Sequence, residues 1–260
     1  MLSEIVYKYR DWKNPYHQKI LTNRELFFSS TDQFNDPFEL YLPIKINKEE
    51  LTEGNLRDKY EEDAKTRFPE LSESERQEKI SLYLQKNLLN NKEHLRWVCE
   101  KTRKDFNSEF GVFCFGQSDN NYLMWSHYSD AHKGFCVGIE LNRINQEIKP
   151  NVFGPVQYSK EFPSFLLSPN VRNENFINLA FTKSIIWEYE QEIRLVKYGM
   201  VSKPIVISPE CFKEVILGCR ATSETKKEIS EFLQKEMPHV SLFESYLDED
   251  QYCLNKRRIN

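Results

Sequence analysis

Ile5-Val6-Tyr7-Lys8-Tyr9-Arg10, β-branched and aromatic at its start and alternating aromatic with cationic residues from Tyr7, has the pattern of a short strand. Asn14-Pro15 then puts an N-cap residue before a proline at the first helical position, which predicts a short helix through Ile20 and Leu21. Glu25-Leu26-Phe27-Phe28-Ser29-Ser30 reads as a second strand, and the turn-prone Asn35-Asp36-Pro37 follows it. From about Lys48 to Asn107 the pattern becomes charged and helical. Ser72-x-x-Glu75 forms a candidate capping box there, and Ile80, Leu84 and Leu88 are spaced four apart. The mixed Lys, Glu and Arg of this stretch read as a solvated face with i, i+4 pairs.

Strand patterns return at Gly111 to Phe115 and at Gly134 to Leu141, where Phe135, Val137 and Ile139 alternate with Cys136, Gly138 and Glu140. Between them, Met124 to Lys133 is too polar and too aromatic for an ordinary turn and is expected to be a ligand-contact loop. Further strands are expected at Val156 to Ser159, Glu190 to Val196, Glu214 to Leu217 and Val240 to Phe243, with a helix at Glu224 to Lys235. The fold class is therefore α+β: a mixed, mainly antiparallel sheet with flanking helices, in one domain over 1–260 that carries a helical insertion at about 48–107.

Composition narrows the function classes. A net charge of -4 with 29% charged residues excludes a global nucleic-acid electrostatic footprint and leaves only local patches. No run of eighteen apolar residues exists and the first residues lack a secretion signal, so a cytoplasmic protein without a membrane partner is expected. The six cysteines lack any C-x-x-C pair and read as reduced, mostly buried thiols. Glycine-rich nucleotide loops, a G-x-S-x-G elbow and a local cysteine-protease signature are all missing.

The chemistry concentrates at Glu190-Gln191-Glu192-Ile193-Arg194-Leu195, where strand alternation puts Glu190, Glu192 and Arg194 on one face. Such a face either meets water or lines a cleft in which the charges shift one another's pKa; the neighbouring Trp187 and Tyr189 favour the cleft. Lys8 and Arg10 alternate with Tyr7 and Tyr9, pairing a cationic face able to hold phosphate with an aromatic one. A charge-protected edge strand has the same pattern. His127 and His132 lie close in sequence, but no third ligand has metal-site spacing, so no metal is expected. Ser29, Ser30, Asn35 and Asp36 bring hydroxyl, amide and carboxyl groups to a strand end, where local turn capping explains them equally well. Trp125 and Tyr128 complete the ligand-contact candidates, with core packing as their alternative.

Several of these segments, in order, resemble domain-of-unknown-function family 2971: Leu26 to Ser30, Phe34 to Glu39, Trp125 to Tyr128, His132 to Phe135, Trp187 to Arg194 and Val215 to Gly218. That resemblance covers nearly the whole chain outside the helical insertion and implies a grouping, not an activity. More loosely, Glu190-Gln191-Glu192 is similar to the late-strand Glu-x-Glu of ADP-ribosyltransferases. Their first-strand cation would fall on Lys8 or Arg10, and their middle element on Ser29-Ser30 or the Tyr128 loop. This second resemblance implies NAD as the cofactor, with Glu192 offsetting charge on the ribose and Glu190 serving a macromolecular or nucleotide acceptor. It further implies that Lys8 or Arg10 neutralises the diphosphate and that Tyr9 or Tyr128 stacks on nicotinamide. By analogy such an enzyme acts as a toxin or phage-defence effector. The alternatives are a non-catalytic sensor of a nucleotide-like ligand and, since Glu192-Ile193-Arg194 lacks only the lysine of a Glu-x-Lys strand, a metal-dependent nuclease. The insertion is a candidate surface for a homodimer.

Overall fold

The alternating residues Ile5–Arg10 form strand β1, which lies inside an eight-stranded sheet and not at its edge. The exposed-edge explanation for Lys8 and Arg10 therefore falls. The computed structural model describes residues 3–40, 45–46, 51–165 and 172–259. In chain order, β1 is followed by α1 (Pro15–Thr22), β2 (Glu25–Phe28), β3 (Lys45–Ile46), α2 (Glu53–Arg67), α3 (Glu73–Lys86) and α4 (Lys92–Glu109). Next come β4 (Phe110–Gly116), α5 (Tyr122–Tyr128), β5 (Phe135–Glu140), α6 (Leu141–Ile148), β6 (Val152–Pro155), β7 (Gln157–Ser159) and β8 (Ser164–Phe165). The remainder is α7 (Arg172–Phe181), β9 (Thr182–Ser184), β10 (Glu192–Tyr198), β11 (Lys203–Val206), β12 (Phe212–Leu217), α8 (Ser223–Glu236), β13 (Ser241–Leu247) and β14 (Leu254–Arg258).

These elements fall into two compact units. Unit 1 comprises Met1–Ser30, Glu109–Val156 and Ile185–Asn260; unit 2 comprises Thr31–Ser108 and Gln157–Ser184. The charged helical stretch, α2 to α4, thus shares a unit with β7, β9 and α7.

In unit 1 the sheet order is β14-β13-β12-β5-β1-β4-β10-β6. Every neighbouring pair is antiparallel except β12 and β13, which run parallel across the α8 crossover. The architecture is α+β with a mixed, mostly antiparallel sheet, as the periodicity predicts. One face carries Val6, Phe113, Phe115, Val137, Ile193 and Leu195, packed beneath Ile20 and Leu21 of α1, Ile144 of α6 and Ile229 and Leu233 of α8. Each such side chain removed from water stabilises the unit by roughly 1.5–3 kcal/mol. The opposite face packs Tyr9, Cys136 and Ile216 against Met124 and Trp125 of α5.

In unit 2, α2 and α3 bury Leu56, Tyr60, Ala64 and Ile80 in a core of their own. Ser72 and Glu75 form the expected capping box. Two short parallel pairs, β3 with β8 and β7 with β9, complete the described part of the unit. The strand expected over Val156 to Ser159 is interrupted at Val156, where one unit gives way to the other. All six cysteines are free, but only Cys136 and Cys211 are fully buried. Among the described residues no helix is long and apolar enough to cross a membrane.

Candidate functional site

β1 pairs with β5 at all six positions, from Ile5 with Glu140 to Arg10 with Phe135, yet meets β4 at only one, Tyr7 with Gly116. Further back along β4, Val112 is occupied by Ser29, the two residues exchanging backbone hydrogen bonds of 3.0 and 2.8 Å. Between these pairings lies the carbonyl of Cys114, to which Lys8 Nζ donates at 2.6 Å. An ammonium thus stands where a ladder N–H would, satisfying a carbonyl at the parting of two central strands. The same ammonium sits 4.7 Å from the centre of the Phe113 ring.

Burial lowers the Lys8 pKa to about 8, with Arg10 adding repulsion; the negative charges of Glu192 and Glu190 act in the opposite sense, so both carboxylates lie within electrostatic reach of Lys8. Arg10 is lowered to about 10, again by burial. Its guanidinium makes one long contact, Nη1 to the Tyr9 carbonyl at 3.5 Å. No carboxylate lies within ion-pair distance of it among the described residues. Even a half-buried cation gives up part of its hydration, a loss that an anion would offset. His17 of α1 lies close enough to feel both Arg10 and Lys8, and its pKa falls to about 4, burial being the larger cause.

On the far side of β4, Glu192 and Arg194 occupy one face of β10 as alternation predicts. Arg194 Nε meets Glu192 Oε1 at 2.5 Å and Nη2 meets Oε2 at 3.2 Å, with side-chain exposures of 1% and 5% for the arginine and the glutamate. The register aligns Glu192 with Gly116 and Tyr7, so this pair projects from the face that carries Tyr7 and Tyr9. Lys8 and Arg10 start on the opposite face, and Lys8 turns into the parting. The Cys114 thiol is pushed far above its usual pKa by burial first and Glu192 second, which favours its protonated form.

Glu190 corrects the sequence reading. It ends a 3₁₀ turn, Ile185–Glu190, and Gln191 adopts a left-handed φ of 44°, so Glu190 does not share the strand face of Glu192 and Arg194. It is nevertheless buried, and its carboxylate accepts the Tyr128 hydroxyl at 2.7 Å.

The expected loop over Met124 to Lys133 is also corrected, because its first half is helix α5. Asn121 caps α5 by accepting from the N–H groups of Leu123 and Met124 at 3.0 and 3.2 Å, and its amide donates to the Tyr189 carbonyl. The chain then turns through three consecutive left-handed residues, Asp130, Ala131 and His132, with φ of 44°, 50° and 70°. Gly134 and Gly218 make this hook feasible: a Cβ on either would lie 2.1 Å from a backbone oxygen, of Arg10 and of His132 respectively.

Within this segment the predicted ligand contacts separate. Trp125 is wholly buried, donates to the Asp119 carbonyl at 2.8 Å and meets Tyr9 edge-on at 5.2 Å; Tyr9 in turn donates to the Ser118 carbonyl at 2.6 Å. Both are core residues, and neither presents a face to a ligand ring. His132 lies nearly parallel to Trp125, with 6.4 Å between ring centres, whereas exposed His127 lies 6.1 Å from Tyr189, which in turn lies 6.0 Å from Trp187. The two histidines therefore do not converge. Ser126 Oγ is 3.0 Å from His132 Nε2, but buried Nδ1 has no hydrogen-bond partner among the described residues, so the pair lacks there the orienting group of a serine nucleophile. Burial, then Arg220, lowers the His132 pKa.

Ser29 and the buried Ser30 end the first segment of unit 1, while Asn35 and Asp36 belong to unit 2. There Asp36 closes its own turn by accepting the Phe38 N–H at 2.9 Å. Among the described residues no group of three or more His, Cys, Asp or Glu side chains is arranged to hold a metal ion. Cys114 and Asn121 escaped the sequence reading. An asparagine before an apolar run was a usable signal for the second, whereas nothing local marks the first.

No curated protein and no solved structure gives a match to this chain. Residues 124–195, which run from α5 into β10 and include both the hook and the Glu192–Arg194 pair, match the family described as "Protein of unknown function (DUF2971)", which this chain resembles over that stretch.

Proposed function

We propose that unit 1 is an NAD-dependent ADP-ribosyltransferase-like enzyme that takes the dinucleotide at the parting of β1 and β4. The observation that carries this reading is Arg10, a half-buried guanidinium beside Lys8 with no carboxylate within ion-pair distance among the described residues. A diphosphate supplies the missing counter-charge, and an arginine fork suits it. Glu192, held in place by Arg194, is the fixed carboxylate that offsets positive charge developing on the ribose as nicotinamide leaves. Such preorganised groups contribute roughly 3 kcal/mol in comparable sites. Glu190 serves the acceptor in this reading, supported by the Tyr128 hydroxyl that orients its carboxylate. Tyr128 and Tyr189, both half-buried, remain as ring contacts, since Tyr9 and Trp125 are spent on the core.

Nicotinamide release from labelled NAD tests the reading. Release is expected from the unaltered protein and is expected to fall about a hundredfold or more in Glu192→Gln. Equal release from both proteins would remove Glu192 from the chemistry.

One observation favours a second reading, a sensor that binds a nucleotide-like ligand without turning it over: both Glu192 oxygens are already engaged by Arg194. Saturable NAD binding with no nicotinamide released would select it. The nuclease reading requires divalent-metal dependence and rests on no group described above.

A further inference from the structure

We propose that the tip of the β13–β14 hairpin, together with the start of α5, is a docking surface for a basic peptide segment of a partner protein. A pocket of about 630 Å³ opens there, lined by Tyr122, His132, Leu247, Glu249, Asp250 and Tyr252 among others. That is room for one or two side chains of a ligand.

Part of the wall is apolar and exposed. Tyr122 is 52% exposed, Leu247 68% and Tyr252 fully exposed. Large exposed apolar groups gathered around one hollow mark interaction surfaces, and tyrosine is among the residues that most often anchor them.

Charge selects the partner. Asp248, Glu249 and Asp250 follow one another along the rim, and the pocket lining contains no lysine or arginine. Asp248 is consumed by its own turn, accepting from the backbone of Asp250 and Gln251 at 2.9 Å and from Asn255 Nδ2 at 2.7 Å. Glu249 and Asp250 are exposed and have no ion-pair partner among the described residues. Two cations of β14 are already committed, Lys256 to Asp119 and Glu214, and Arg257 to Glu244. A peptide bringing Lys or Arg with an apolar neighbour meets unneutralised carboxylates at the rim, ring faces for cation–π contact and an apolar wall. The pocket lining includes none of Lys8, Arg10 and Glu192, and the proposal does not depend on their chemistry.

Fluorescence polarisation with a labelled peptide alternating arginine and leucine tests the proposal on the whole protein, with an equally long peptide of glutamate and leucine as control. Saturable binding of the basic peptide alone is expected, weakening with added salt. It should also weaken about tenfold in Glu249→Lys/Asp250→Lys and again in Tyr252→Ala, all exposed positions whose change leaves the fold intact. Overturning results are no binding of the basic peptide, binding undiminished by the charge reversal, or equal binding of the acidic peptide.

Discussion

At the residue scale, the buried Glu192–Arg194 pair is held by geometry that isolated surface pairs lack. Removing one partner strands a charge: Arg194→Met is expected to destabilise unit 1 by roughly 3–5 kcal/mol, read as a lower urea midpoint, while the joint replacement Glu192→Leu/Arg194→Met costs clearly less. A double replacement no better tolerated than Arg194→Met would show that stranded charge is not the cause. Alternation revealed this pair because β10 is regular over both residues. It misplaced Glu190 because the left-handed turn falls on Gln191, where no glycine, asparagine or aspartate signals it. Arg10 and Lys8 were legible as cations, but the lack of an ion-pair partner for Arg10 among the described residues depends on which strands part, and spacing along one strand cannot give that.

At the element scale, the hook after α5 depends on two glycines. Gly134→Ala is expected to displace the β1 backbone at Arg10 and destabilise unit 1 by about 1–3 kcal/mol or more, lowering the thermal midpoint; Gly154→Ala, with open space around it, serves as the neutral comparison. Equal midpoints for the two variants would contradict the close approach. α5 was missed because Tyr122 to Tyr128 is short and aromatic, so its ring content outweighed the Asn121 cap. Elsewhere the caps were decisive, at Asn14 before α1 and at Ser72 before α3, where Ser72→Ala is expected to reduce the stability of unit 2 by about 1 kcal/mol.

At the scale of the whole molecule, periodicity conveyed the α+β class, since strand and helix patterns survive in single elements. The division into two units was not legible: it falls after Ser30, Ser108, Val156 and Ser184, and no glycine- or serine-rich linker interrupts the chain there. Ionisation, too, acts across the fold. His17 binds its proton at pH about 4 in the folded state against 6.5 when free, so the unfolded chain holds more protons between those values and stability rises with pH across the window. Denaturant unfolding at its two ends should show that rise, reduced in His17→Asn; an unchanged slope would place the effect elsewhere.

The central claim is that the β1 cations and the β10 carboxylate serve one ligand. Calorimetric titration with ADP-ribose reads it most directly, comparing the unaltered protein with Arg10→Met and Glu192→Gln. Binding is expected in the unaltered protein and in Glu192→Gln, and should weaken about tenfold or more when Arg10 loses its charge. Failure of the unaltered protein to bind, or equal affinity in Arg10→Met, would contradict the account.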